Sequence, residues 1–357
     1  MSIRISGLGL LMATLKNSII NDTGYFTLPA GTTAQRPGSP SQGMTRFNTS
    51  LGYIEWYDAS GATWRPIYQP SNVSVEFLVI AGGGGAPGYN SAGGGGAGGY
   101  RSSVAGEQSG GGSSAENAKT LTPGTTYTIT VGAGGTGTWG SGGEPATSGS
   151  NSIFDDVTSI GGGKGACDQS NNVSPASGGS GGGARGNSTE TNTGGAGTVN
   201  QGYAGGSGGT APWTPNYPGG GGGGAGAVGQ TAPNQTTSGA GGIGVQSNIT
   251  GTPTYRAGGG GGSVQPGSGG AGGLGGGGQG GTLNPSTAGI SGTSNTGGGG
   301  GAGYGATGGN GGSGVVILRY SSSYTPTFSV GLTVSTTTVG SNKVSIVTAG
   351  TGTVIFG

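Results

Sequence analysis

The run FLVIAGGGGAPGYNSAGGGGAGGY, residues 77–100, starts as an apolar strand and breaks into glycine, which then recurs in runs for more than two hundred residues. Its counterpart is GGNGGSGVVILRY, residues 308–320, where glycine runs out into a second apolar strand. Two such runs at the borders of one region are expected to pair as neighbouring strands and bring its ends together. The glycine between them then reads as scaffold material held by a closing staple rather than as a linker.

The chain has 98 Gly and 17 Pro in 357 residues. That richness without a strict period usually signals low complexity or disorder. Collagen needs Gly at every third position, and runs such as GGGGGGAGAVG break that triplet, so collagen is excluded. Ordering a Gly in regular structure costs roughly 0.5–1 kcal/mol more than ordering Ala. With only 29% apolar and 6% aromatic residues, side-chain burial is a weak counterweight. The backbone must hydrogen-bond densely to itself and to neighbouring chains, because buried N–H and C=O groups need partners. The expected assembly is a homotrimer of extended threads, polyglycine-II-like or irregular, with three residues per turn.

Outside the glycine, composition separates three regions. Residues 1–74 form a small N-terminal β module, with a meander of strands at 44–48, 53–58 and 63–67. Residues 75–320 form the glycine-rich β domain, with further strands at 127–131 and a strand pair in NSIFDDVTSIGGG, residues 151–163. Residues 321–357 form a C-terminal β module with strands at 327–338, 343–348 and 353–356. The fold class is mainly β with little or no helix. A meander this small is marginal alone and points again to packing against copies of itself.

Charge and residue chemistry exclude more than they suggest. Twelve basic and eleven acidic residues give a net charge of +1, so no basic stripe suits nucleic acid. No window is long and apolar enough for a membrane span, and LGLLMA, residues 8–13, lacks a clean signal-peptide cleavage site. His is absent and Cys167 is the one cysteine, which excludes Ser–His–Asp and Cys–His nucleophilic sites and Cys/His zinc sites within the chain. No cofactor or metal is expected. GGGKGA, residues 161–166, lacks the spacing and the hydroxyl of a phosphate loop and reads as a turn. Asp155 and Asp156 read as a solvated pair at a strand edge rather than as catalytic carboxylates. The chain is not expected to be an enzyme.

TAPWTPNYPGG, residues 210–220, stands out: three prolines stiffen a loop that carries Trp213 and Tyr217, a surface suited to stacking on sugar rings. The same residues also fit a small satellite core that anchors the loop. Tyr100, Arg101, Tyr203, Tyr255 and Arg256, with Trp139, raise the same question more weakly.

LPAGTTAQRPGSPSQGMTRFNTSLGYIEWYDASGATW, residues 28–64, resembles a module common in bacteriophage tail fibres and other virion fibres, with Phe47 where Tyr is usual. Residues 81–85 and 312–320, with LTPGTTYTITVGAGG inside, resemble the glycine-rich domain of phage fibres and adhesins. The resemblance implies a virion structural protein on the tail fibre or another exterior appendage, made in the host cytoplasm. Its implied role is a receptor-binding adhesin that contacts a host surface glycan or outer-membrane component through loops at the tip of polyglycine-II bundles. The N-terminal region would join other tail or capsid proteins, with neither nucleic-acid binding nor membrane insertion. The alternative is a purely structural head fibre, decoration or tail adaptor protein.

Overall fold

The computed structural model describes residues 28–67, 71–139, 145–167, 173–186, 192–209, 217–283 and 285–357. It divides into two units at Pro70 and Ser71.

In the first unit, Ala30–Gly31 (β1), Thr45–Asn48 (β2), Tyr53–Asp58 (β3) and Thr63–Pro66 (β4) form one sheet in that order. The expected meander is there, with β1 added in parallel to β2. Its two faces are inverted relative to an ordinary half-buried sheet. One face buries Arg46, Asn48 and Glu55, while Phe47, Ile54 and Ile67, on the other, are exposed. Glu55 is fully buried and takes a bidentate pair from Arg36, with Arg46 at 3.5 Å and the Asn48 amide at 3.1 Å. Burial works to raise the Glu55 carboxyl, but the hydrogen bonds from Arg36 and Asn48 and the two arginine charges hold it below its ordinary value.

The second unit contains Val73–Ile80 (β5), Tyr100–Ser102 (β6), Lys119–Leu121 (β7), Thr126–Thr130 (β8), Ser152–Phe154 (β9) and Val157–Ser159 (β10). Val245–Ser247 (β11), Thr254–Arg256 (β12) and Val315–Ser321 (β13) follow. Pro326–Phe328 (β14), Thr333–Val339 (β15), Asn342–Ala349 (β16) and Thr351–Phe356 (β17) complete it. The staple forms as expected: β5 and β13 pair antiparallel from Val75 opposite Tyr320 to Ile80 opposite Val315. They are central strands of the sheet β15-β16-β13-β5-β6, with β7 also on β5; a second sheet runs β10-β9-β8-β17-β14.

These two sheets pack face to face. Val75, Phe77 and Val79 of β5 and Val316, Leu318 and Tyr320 of β13 meet Ile129, Phe154, Val354 and Phe356 of the second sheet. The alternate residues Leu78, Ile80, Val315 and Ile317 face the other way, onto Ala97, Ala225, Ala257 and the β11–β12 hairpin. Burial on both faces explains why these strands are continuously apolar instead of alternating.

The glycine forms a lattice. From Gly93 to Gly99, successive N–H groups donate to Ala166, Gly220, Gly300, Gly163, Gly223, Gly297 and Ile160 at 2.8–3.1 Å. Every third donor returns to the same neighbour, as a threefold thread requires. Carbonyls of the same thread accept from Ala81 and Gly84, from Ser180 and Gly183, and from Gly260 and Ser263. One thread therefore bonds to six others, where a β-strand bonds to two. At its glycine positions there is no room for a side chain: a Cβ on Gly95 would lie 2.1 Å from the Gly84 carbonyl oxygen.

Two expectations are corrected. The C-terminal strands are not a separate module: β16 pairs with β13, and β17 lies between β8 and β14. The strand expected over 327–338 is broken at Ser329–Leu332, and its two parts, β14 and β15, join different sheets. In addition, the backbone requirement from which a trimer was inferred is met within one chain, because the threads bond to each other.

Candidate functional site

Several threads begin or end at strands: β5 runs into residues 81–87, residues 93–99 run into β6, and residues 307–314 run into β13. This defines a sheet end, and at about 3.1 Å per residue a seven-residue thread places the far end some 20 Å away. At the far end the chain is tied across neighbouring threads: Gly303 N–H to Pro87 O at 3.0 Å, Gly186 N–H to Ser91 O at 3.0 Å, Gly219 N–H to Ser263 O at 2.9 Å, and Gly308 N–H to Thr138 O at 3.1 Å. Ala86, Ala92, Cys167 and Ala302 make a small core there, with Tyr89 and Val173 packed on it.

Tyr217 belongs to this far end. It is half-buried, and its backbone lies against Gly186, where a Cβ would meet the Tyr217 oxygen at 2.0 Å. Gly209 N–H donates to Pro218 O at 2.8 Å, closing the two sides of the 210–220 segment. Trp213 lies outside the described residues. Tyr304 is buried and donates its hydroxyl to Gln265; burial pushes its phenol up, with Tyr89 adding to the effect. Trp139 is 56% exposed and is the most open of the described aromatic rings at this end.

The other five candidates gather at the sheet end, around residues 100–116. Tyr100 pairs with Ile80 across β6 and β5 and is fully buried, so it is a core residue and not a contact. Burial, and then Glu107, push its phenol up. Arg256 is also turned inward, 9% exposed, on the hairpin face that carries Val245 and Ser247; burial pulls its guanidinium down. Neither side chain can reach a partner outside. Arg101 is occupied in a bidentate pair with Glu116, at 2.7 and 2.5 Å. Tyr203 is half-buried, its hydroxyl directed at Gly112. Tyr255 is exposed beside Gln246 on the outer face of the hairpin.

Other sequence features resolve simply. GGGKGA is a thread and not a turn, with Gly162 N–H on Gly82 O and Gly163 N–H on Ser180 O. Asp155 and Asp156 both pair with Lys119, and the hydrogen bond from Lys119 is the main reason Asp156 sits below its ordinary value. Among the described residues no group of three or more Asp, Glu, His or Cys is placed to hold a metal ion, and no helix is long and apolar enough to cross a membrane.

A stapled β core that carries a glycine-thread lattice with connecting loops at its far end defines a glycine-rich scaffold protein. Residues 59–321 match the glycine-rich domain family, and the chain belongs to it. Comparison with curated proteins finds no match.

Proposed function

We propose that this protein is a structural component of a bacteriophage virion, a tail fibre or adhesin that contacts the host surface non-covalently and catalyses nothing. The observation that carries the reading is the far end of the thread lattice. There a scaffold of closely packed glycine backbone carries Trp139, Tyr89 and Tyr217. Aromatic rings carried by a rigid support stack well on sugars. The partner is a surface glycan or outer-membrane component, and a homotrimer would multiply weak contacts by avidity. The exposed Phe47, Ile54 and Ile67 of the N-terminal sheet support packing there against sister copies or other virion proteins.

The test is cell binding. Purified protein should adsorb to cells of the parent phage's host and reduce infection, and Trp139→Ala should weaken both effects. Failure to bind at micromolar concentration would remove the receptor role and leave the purely structural reading.

A further inference from the structure

Three shielded polar atoms at the sheet end have no hydrogen-bond partner among the described residues: the Tyr100 hydroxyl, Glu107 Oε2 and Arg256 Nη1. They come from β6, from the loop that follows it and from β12, and the fold gathers them beneath one hairpin. Arg256 stands opposite Val245 on the inward face of the β11–β12 pair, the face that also carries Ser247. Tyr100 packs in one cluster with Val245 and Ile249. Glu107 reaches the same hairpin, where its Oε1 accepts from the Asn248 N–H at 2.7 Å. Its backbone is tied as well, N–H to Val104 O at 3.1 Å and O to the Ala115 N–H at 3.3 Å. Both charges act at the phenol: burial is the main cause that raises it, Glu107 adds to the effect, and Ser247 and Arg256 oppose it.

Among the described residues neither Glu107 nor Arg256 forms a direct ion pair. An inward-turned charge without a partner is costly, and so is each shielded polar atom left without a hydrogen bond. The donors and acceptors balance around a single small molecule. The Arg256 N–H and the Tyr100 O–H need an acceptor, and Glu107 Oε2 needs a donor. A water accepts from the first two and donates to the third, and about three such bonds is usual for a buried water. A metal cation would meet the Arg256 charge and an anion the Glu107 charge, so the neutral molecule fits.

We propose that Tyr100, Glu107 and Arg256 enclose one bound water, which turns Glu107 and Arg256 into a bridged ion pair and fastens the loop and the hairpin to β6. Because residues 93–99 run into β6 at Tyr100, the water anchors the glycine lattice where it meets the sheet. The site is independent of the proposed receptor contact.

The experiment is a crystal structure of the full chain at a resolution that shows ordered waters, with amide exchange of Asn248 followed by NMR. Density for one water within hydrogen-bond distance of all three atoms is expected. A direct contact between Glu107 and Arg256, or a gap without density between the three atoms, would overturn the site. Tyr100→Phe keeps the ring in the core and removes only the hydroxyl; it should speed exchange of the Asn248 N–H by about tenfold. A ring that acts by packing alone would leave that rate unchanged, and this result would also overturn the proposal. In a double-mutant cycle, Glu107→Gln and Arg256→Met should be coupled by about fivefold or more in the unfolding equilibrium, whereas additive effects would contradict a bridged pair. If Arg256→Met fails to fold, the Tyr100→Phe exchange rate still decides.

Discussion

The carbonyl oxygen of Gly95 lies 2.0 Å from the position a Cβ on Gly222 would occupy. Gly222 in turn donates its N–H to Gly260 at 2.8 Å, so the residue is held on one side and blocked on another. The obstacle is backbone, enclosed by further threads, and no side-chain rotation relieves it. Overpacking a core ordinarily costs about 1–3 kcal/mol; Gly222→Ala should exceed that, and Gly222→Val should prevent folding. Gly124 is the control: it has φ +78° and nothing near its Cβ position, so Gly124→Ala should cost only about 1–2 kcal/mol of left-handed strain. Thermal melts of the two alanine variants distinguish the cases, and equal melting temperatures would contradict the lattice.

Removing residues 342–357 should abolish the whole second unit and not trim a dispensable module. The deletion takes Val347, Val354 and Phe356 from the core between the sheets and strips β16 from β13 and β17 from β8. Two newly bare strand edges then invite aggregation. Soluble yield and protease resistance measure this. A truncated chain that stays soluble and resists protease through residue 320 would show that the C-terminal strands are separable after all.

What was legible in the sequence is what side chains write. VEFLVIA and VVILRY declare buried strands because both faces are apolar, and the meander at 45–66 shows its aromatic and β-branched residues between short turns. The order of threads was not legible. Glycine has no side chain to specify a neighbour, so nothing in a GGGG run says that residue 93 bonds to 166 and residue 94 to 220. The break within 327–338 was hidden because TFSVGLTVS keeps its alternation across Gly331, whose φ of +105° turns the chain from one sheet to the other. At the candidate sites, Tyr100 and Arg256 carry polar groups that suggested a surface, yet both belong to short strands whose inward faces they occupy.

The N-terminal unit should be acid-sensitive through Glu55. Its folded-state pKa lies below the ordinary value of 4.5, so its contribution to stability is complete above that value and is lost as pH falls through the depressed one. Tyr57 and Trp64 rings, 5.5 Å apart in the same sheet, supply a fluorescence signal for the unit. Glu55→Gln should remove the acid-dependent step and, by leaving Arg36 and Arg46 without their shared anion, cost about 3–5 kcal/mol near neutral pH. An acid transition of unchanged midpoint in Glu55→Gln would show that other carboxylates govern it.

Cys167 offers a chemical readout of the lattice itself. It is fully buried at the far end, packed with Ala86, Ala92 and Ala302, and its N–H donates to Val173 O at 3.2 Å. A thiol reagent can reach it only when threads part, so modification of the native protein should be slower than that of the denatured chain by on the order of a hundredfold or more. Because Cys167 is the chain's one cysteine, the rate reports this place alone. Gly222→Ala, which forces apart threads within the same lattice, should speed labelling, whereas Glu55→Gln, in the other unit, should leave it unchanged. Rapid labelling of the wild type at temperatures well below its melting transition would mean that the far end opens independently of the sheets, and the rigid support assumed for the loops would fail there first.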